Sequence, residues 1–445
     1  MEKYKMKNSL HYNQMIKRYL PSGRYHNYAK SDNEIPIHFV DGRGSRLQDA
    51  DGNQYLDFYC KYGAVFLGHK NTALSATIAD ALYNYPITDY TDMDEMVCSY
   101  FAKYVPCCEK IRFCLSGTEA IQNAIRLARA YTGKNKIIKF EGHFHGSADN
   151  IMGGRAKSVG YPIVCEDIDN VFYTEGRANG IMQEQMFMLP WNDSDSVKNF
   201  LCAYGNEVAA IIMEPVNMNG GSIMPAEGYL NEIRQICNEH HVLLIFDEVI
   251  TGIHMGLGGA QSVYQVIPDL CVMGKAITSG VVPVSVLMGK SEIMNLMEHN
   301  RVAFGGTFNG YHLGMAAIKA TFQILSGVEG ENYYKKMEGY SNSLRLIMEE
   351  EAKQCGFAIV TQGPSGCFSF HCTDKELLSY RQYNDTILKR DQILRQCLLQ
   401  FGICVCRTSR MYMSISFMDE DIAFFSKHIH PAFQNARKIF DRLKL

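Results

Sequence analysis

Long apolar runs are missing from this 445-residue chain. None approaches the roughly 20 residues a bilayer-spanning helix needs, so no membrane segment is expected. The start, Met1 to Asn8, is basic but no apolar stretch follows it, and no secretory signal is expected. Charge of one sign is also lacking. The formal net charge is −3, and lysines and arginines are scattered rather than clustered. That excludes a nucleic acid or an anionic membrane as the expected partner. The 15 cysteines are odd in number and irregular in spacing, and no C-x-x-C pair occurs among them. Reduced thiols in a cytoplasmic protein are the expectation, each by default a small buried hydrophobe. His143-Phe144-His145 and His240-His241 lack the i, i+4 spacing of a helical zinc site, so no metal is expected. There is no internal repeat and no low-complexity linker.

What is present is a chain that is 47% hydrophobic, ample for a large core. At roughly 100–200 residues per domain, two compact units are expected. Residues 1–35 are polar and tyrosine-rich, a segment expected to drape over the rest. His38 to Phe58 reads as a β-meander around the turn signal Ala50-Asp51-Gly52-Asn53. After Lys61 strands and helices alternate. Ile111–Cys114, Lys136–Phe140, Val208–Met213, Val242–Phe246, Leu270–Met273 and Val284–Met288 are short apolar strands. Thr118–Tyr131 is a helix with Ala120, Ala124, Leu127, Ala128 and Tyr131 on one stripe, ended by Gly133, and Tyr229–His240 is another. Such alternation implies an α/β fold with a mostly parallel sheet flanked by helices. Past about Ile324 the helices lengthen, and Ala358–Val360 and Met411–Ile415 supply new strands. The expected division is a large domain over 62–324 and a smaller α+β domain from 1–61 and 325–445.

Ligands in α/β folds sit beyond the carboxyl ends of the strands, and the residues that carry chemistry fall at those ends. Ser116-Gly117-Thr118 lies between a strand and a helix, where unpaired N–H groups and the helix dipole favour a phosphate. Taken alone it is more often an ordinary capped helix start, with Ser116 or Thr118 as the cap. Phe144 follows the next strand and could stack on a flat ring, although core packing is the commoner role for it. Glu214 ends another strand, and either a ligand contact or a partner arginine suits it. Asp247 is followed by Glu248, and alternation directs only one of them into a site. A magnesium-binding pair is the competing reading, weakened by the absence of a P-loop. Lys275 follows Leu270–Met273 and Gly274. A lone lysine there would by default cap the strand in solvent. In company, a phosphate cup, an aromatic, an aspartate and a lysine succeed one another at strand tips. That set suits pyridoxal 5′-phosphate, which needs a lysine for its aldehyde and a carboxylate for its ring nitrogen.

The stretch from Phe113-Cys-Leu-Ser-Gly-Thr-Glu-Ala120 to His145-Gly-Ser-Ala-Asp149 resembles the class III pyridoxal-phosphate-dependent aminotransferases, and within them the glutamate-1-semialdehyde 2,1-aminomutases. Ile212-Met-Glu-Pro215, Leu244 to Gly252, Gly258 to Gln261, Pro268-Asp-Leu270 and Met273-Gly-Lys275 continue the likeness, which runs from about His38 to about Ile422. The resemblance implies a fold-type I enzyme working as a homodimer with shared active sites. By position, Lys275 matches the Schiff-base lysine and Asp247 the partner of the pyridine nitrogen. Val249 matches the residue packed on the ring, Gly117 and Thr118 (with Ser116) the phosphate cup, and Phe144 the stacking aromatic. Asn219 falls near the cofactor's phenolic oxygen, and Gly306-Thr307 matches the pair that reaches the phosphate from the other subunit. Departures gather on the substrate side. Thr278 to Ser285 replaces the glycine-rich run after the lysine, Thr251-Gly-Ile-His254 loses an arginine, and Ala29 stands where a carboxylate-binding arginine is expected. Arg24 and His254 are therefore the expected substrate contacts, and the loop 151–191 is expected to shape the pocket. The leading expectation is an aminotransferase acting between amine and carbonyl substrates. An intramolecular aminomutase or a racemase would share the same cofactor chemistry, and a catalytically silent scaffold is disfavoured by the intact Lys275–Asp247 pair.

Overall fold

In the computed structural model the described residues are 6–23, 25, 37–152, 155–156, 165–166, 186–298, 301–406 and 408–445. The meander forms as expected, from β1 (Phe39–Arg43), β2 (Arg46–Asp49) and β3 (Gln54–Phe58), all antiparallel. Its turn is built by Asp49, whose carboxylate accepts the N–H groups of Asp51 and Asn53 and the Tyr55 hydroxyl at 2.8–2.9 Å. An aspartate hydrogen-bonded to backbone a few residues on is what makes the Ala50–Asn53 signal turn here.

Seven strands make the main sheet: β4 (Lys110–Cys114), β5 (Lys136–Phe140), β6 (Met186–Leu189), β7 (Val208–Met213), β8 (Leu243–Glu248), β9 (Leu270–Met273) and β10 (Ser285–Gly289). Their order across the sheet is β4-β10-β9-β8-β7-β5-β6. Strand β10 runs antiparallel to both neighbours, and every other pairing is parallel. Every residue of β7, β8, β9 and β10 is buried. Strands covered on both faces need continuous apolar runs, which is why Val-Ala-Ala-Ile-Ile-Met and Leu-Leu-Ile-Phe sit in the middle.

The helix Gly117–Thr132 packs on this sheet, with Ser116 as its cap and Gly133 at φ 71° closing it. Its buried stripe contains Ala120, Ala124, Leu127 and Ala128 but continues through Ile121 and Ile125. Tyr131, expected on that stripe, is 41% exposed. The period of 3.6 residues carries the apolar face past it.

Beyond the long helix Gly330–Gln354 the strands are β11 (Val360–Gln362), β12 (Cys367–His371), β13 (Ile403–Val405) and β14 (Arg410–Tyr412). Strands β11, β12 and β14 form an antiparallel sheet in that order, while β13 pairs parallel with β3. The N-terminal meander thus joins the C-terminal part, and buried Asp421 adds a tie by accepting from the Ser45 hydroxyl at 2.6 Å and Arg46 Nε at 2.8 Å. Two of these strands, β12 and β13, were not expected. They are three to five residues long and too short to show a period. No helix among the described residues is long and apolar enough to cross a membrane.

Because β8 carries the central carboxylate of the site, its anchorage matters. Leu244 is fully buried, and Leu244→Ala is expected to cost about 3 kcal/mol by creating a cavity. Chemical denaturation measures this, and a cost below about 1 kcal/mol would show that the sheet centre is loosely packed.

Candidate active site

The carboxyl ends of β4, β5, β7, β8 and β9 surround a cavity of about 220 Å³. Lys275, just past β9, lines it and holds a left-handed backbone with φ 50°. A non-glycine residue in that region is strained, and such strain concentrates at functional sites. Burial lowers the Lys275 amine to about 8, helped by the nearby Arg410 charge and opposed by Asp247 and Glu214. A lysine near neutrality serves as nucleophile and as base.

Asp247 stands on β8 and is 6% exposed. Its Oδ1 accepts the Val249 N–H at 3.1 Å, and its Oδ2 lies 2.8 Å from His145 Nδ1. Burial raises its carboxyl to about 7, against the pull of the Val249 N–H and Lys275. A cation bound beside it would favour the carboxylate form. His145, wholly buried, is held well below the usual histidine range by desolvation. As a neutral ring it donates from Nδ1 to Asp247. Glu248 turns the other way, as alternation requires. It accepts from the Thr251 hydroxyl at 3.0 Å, the Ala260 N–H at 2.5 Å and the Gln261 side chain at 3.0 Å.

Glu214, at the end of β7, answers the question the sequence left open: its contacts are to cavity residues. It accepts from the Phe144 N–H at 2.8 Å, the Asn219 N–H at 3.2 Å and Asn219 Nδ2 at 2.9 Å. Burial lifts it to about 7, and the neighbouring Asp247 charge adds to the rise. Ser116, Gly117, Thr118, Phe144, Asn219 and Val249 all line the cavity, so the structure gathers the expected cofactor-side residues. The Ser116 hydroxyl accepts the Glu119 N–H at 3.3 Å, so the ordinary capping role is real as well. A Cβ on Gly117 would come within 3.2 Å of Val249, which explains the small residue there.

Arg410 carries no motif and was not expected. It begins β14, is 4% exposed, and donates from Nη1 to Asn219 Oδ1 at 2.8 Å and the Met218 carbonyl at 3.1 Å, and from Nε to the Thr408 hydroxyl at 2.7 Å. All three acceptors are neutral, and among the described residues no carboxylate pairs with it. The only sequence signal was a polar break between two apolar strands.

Two substrate-side expectations fare differently. Arg24 lies outside the described residues, as does most of the 151–191 loop. His254, the other expected substrate contact, is not among the residues lining the cavity. It is 3% exposed, its Nε2 donates to the Gly63 carbonyl at 2.7 Å, and its ring packs on Phe66 and Tyr412. The Gly63 end of a left-handed turn is what it holds: Cys60, Lys61, Tyr62 and Gly63 have φ of 43°, 51°, 59° and 81°. Three of these bear side chains, at roughly 1–2 kcal/mol each. Asp57 Oδ1 supports the turn by accepting the N–H groups of Tyr59 and Cys60 at 2.9 and 3.0 Å. Thr307 is exposed and does not line this chain's own cavity.

With the geometry in place, likeness to known proteins is informative. Residues 27–362 match the family "Aminotransferase class-III". A glutamate-1-semialdehyde 2,1-aminomutase 2 from Brevibacillus brevis is 34% identical over 422 residues, covering 92% of this chain and 93% of that protein. A glutamate-1-semialdehyde 2,1-aminomutase from Desulfitobacterium hafniense is 32% identical, covering 89% and 90%. Among solved structures, an omega-transaminase from Sphaerobacter thermophilus superposes with a TM-score of 0.88 at 27% identity, covering 96% of this chain and 98% of that one. The chain belongs to the class-III aminotransferases. It has the fold-type I architecture and is a pyridoxal-phosphate enzyme. The site fits that cofactor: a buried amine without a protein partner among the described residues, a buried carboxylate across the cavity, and a helix start kept clear by Gly117.

The turn makes a pH prediction. Desolvation lowers His254 to about 4 in the folded chain, whereas an unfolded histidine titrates at about 6.5. Between these values the unfolded state binds a proton that the folded state refuses, so stability falls as pH drops through that window. His254→Gln keeps a donor for Gly63 and is expected to flatten part of that loss, read as denaturation midpoints across the window. An unchanged acid slope, or a selective loss of substrate affinity, would return His254 to substrate binding.

Proposed function

We propose that this aminotransferase takes its amino group from an amine that also bears a carboxylate, and passes it to a keto or aldehyde acceptor. The observation that carries the carboxylate is Arg410, a buried cation with neutral hydrogen-bond partners beside the cavity. A buried charge without a counter-ion is costly, and a substrate carboxylate supplies the missing one.

Pyridoxal phosphate, when bound, supplies an electrophilic carbon for an amine and a ring that accepts electron density. Lys275 would hold that carbon through Nζ, and this amine, kept near neutrality by burial, would serve as the base and acid for the proton on the substrate's amine-bearing carbon. Asp247, with His145 orienting its Oδ2, would hold positive charge on the ring nitrogen. Ser116, Gly117 and Thr118 at the helix start would hold the phosphate, and Phe144, Val249 and Asn219 would contact the ring.

Two copies form the working unit in this reading, Gly306–Thr307 of one completing the phosphate end of the other. The exposed Thr307 and the 57% exposed Phe308 beside it support this. The fourteen free cysteines among the described residues support a reducing, cytoplasmic setting. A second reading, an intramolecular aminomutase, draws on the names of the two relatives.

A single-turnover screen of amines against the cofactor-loaded protein, followed by addition of keto acids, tests the proposal. Carboxylate-bearing amines are expected to bleach the visible cofactor band, and a keto acid to restore it. Conversion of one compound without any acceptor would favour the mutase. Lys275→Ala is expected to abolish turnover, and Arg410→Gln to raise KM for the acid substrate about tenfold or more, the scale of one charge-assisted hydrogen bond. Substantial steady-state activity in Lys275→Ala contradicts the assignment.

A further inference from the structure

Asn219 is held from both sides, by Glu214 and by Arg410, and it rides on a tight hairpin in which Asn217 and Ile223 pair. The tip of that hairpin reaches into the C-terminal strands. The Gly221 carbonyl accepts from His371 Nε2 at 2.8 Å and from Gln362 Nε2 at 3.1 Å. Gly221 itself has φ 109°, and a Cβ there would approach the His371 ring to 3.2 Å, so the histidine lies flush against the backbone.

We propose that His371, oriented by Asp391, is a positioning residue for the active site: by gripping Gly221 it fixes the hairpin that places Asn219 between Arg410 and Glu214. His371 is wholly buried, and its Nδ1 lies 2.9 Å from Asp391 Oδ2. The same carboxylate accepts the Tyr383 hydroxyl at 3.0 Å and the Cys372 N–H at 2.7 Å. Asp391 is 1% exposed, and the Tyr383 ring stands against the imidazole at 4.8 Å.

Proton counting makes the arrangement definite. A carbonyl oxygen only accepts, so the bond to Gly221 requires a proton on Nε2. The Nδ1–Oδ2 contact requires a second proton on one of its two atoms. The His371–Asp391 pair therefore holds two protons and is neutral as a unit, whichever atom carries the second. That neutrality is what permits it in a dry interior. Removing Asp391 leaves the ring free to turn or change tautomer, and the grip on Gly221 goes with it. The device joins β12 to the β7 loop across 150 residues of sequence.

Asn219 and Arg410 matter to catalysis through the functional reading above, so the kinetic half of the inference rests on it, while the proton count does not. The first experiment is proton NMR of the cofactor-loaded protein labelled with nitrogen-15 histidine. A slowly exchanging Nε2–H signal is expected from His371, assigned by its absence in His371→Gln, with a second ring signal if Nδ1 carries the other proton. In Asp391→Asn the Nε2–H is expected to be lost or to exchange rapidly. Absence of a slowly exchanging Nε2–H in the unmutated protein overturns the inference. The second compares kinetics with a carboxylate-bearing amine. His371→Phe is expected to raise KM about tenfold with the visible cofactor band retained, and His371→Gln, which can still donate to Gly221, to recover most of it. Gln362→Leu, which removes the other donor, serves if His371→Phe does not fold, and a several-fold rise in KM is expected. Equal losses in the Phe and Gln variants, or unchanged KM in Phe, overturn the positioning role. If the unmutated protein fails to convert any such amine while showing the protected Nε2–H, the functional reading fails and the buried device stands.

Discussion

A buried carboxylate and a buried amine face one cavity without forming an ion pair. Asp247 is raised and Lys275 lowered by the same loss of hydration, and neither is paired with an opposite fixed charge among the described residues. Had they paired with each other, the amine would be locked as a cation and useless as a base. Lining one cavity without an ion pair between them keeps both available, and the rest of the site serves to hold them there. Strands β8 and β9 place them directly, pairing in parallel with Asp247 opposite Val272, three residues before Lys275. His145 and the Val249 N–H then fix the two carboxylate oxygens.

A second layer of buried polar contacts turns a generic α/β rim into a particular site. Glu214 ties the Phe144 loop to Asn219, and Arg410 brings the C-terminal sheet to the same amide. Arg381 adds a two-pronged bond to Glu141, at 2.8 and 2.9 Å, just before the His143–His145 turn. The strained turn at Cys60–Gly63 is held down by His254 and Asp57. Arg410 to Asn219 and Arg381 to Glu141 cross from the C-terminal part to the loops of the central sheet. The cavity is thus shaped as much by residues before Lys61 and after Val360 as by the sheet that supplies its chemistry.

This layering explains what the sequence could and could not reveal. Lys275, Asp247 and Gly117 were legible because each ends or follows an apolar strand, and strand tips are where α/β folds place ligands. That only one of Asp247 and Glu248 faces the cavity followed from alternation. Arg410 and His371 were not legible, because their partners lie 191 and 150 residues away and no local pattern marks them. The contact His254 makes was hidden for a related reason. Its place beside the aspartate strand was visible, but the Gly63 carbonyl it serves becomes its neighbour only in the fold. The short strands β12 and β13 escaped because three to five residues do not show a period, and β12 carries His371.

The central claim is that Lys275 alone holds the cofactor, opposite Asp247. Borohydride treatment of the cofactor-loaded protein, followed by peptide mass spectrometry, tests it most directly. The account predicts a pyridoxyl adduct on the peptide containing Lys275 and on no other lysine. An adduct on the buried Lys139 instead, or none on Lys275, would contradict it.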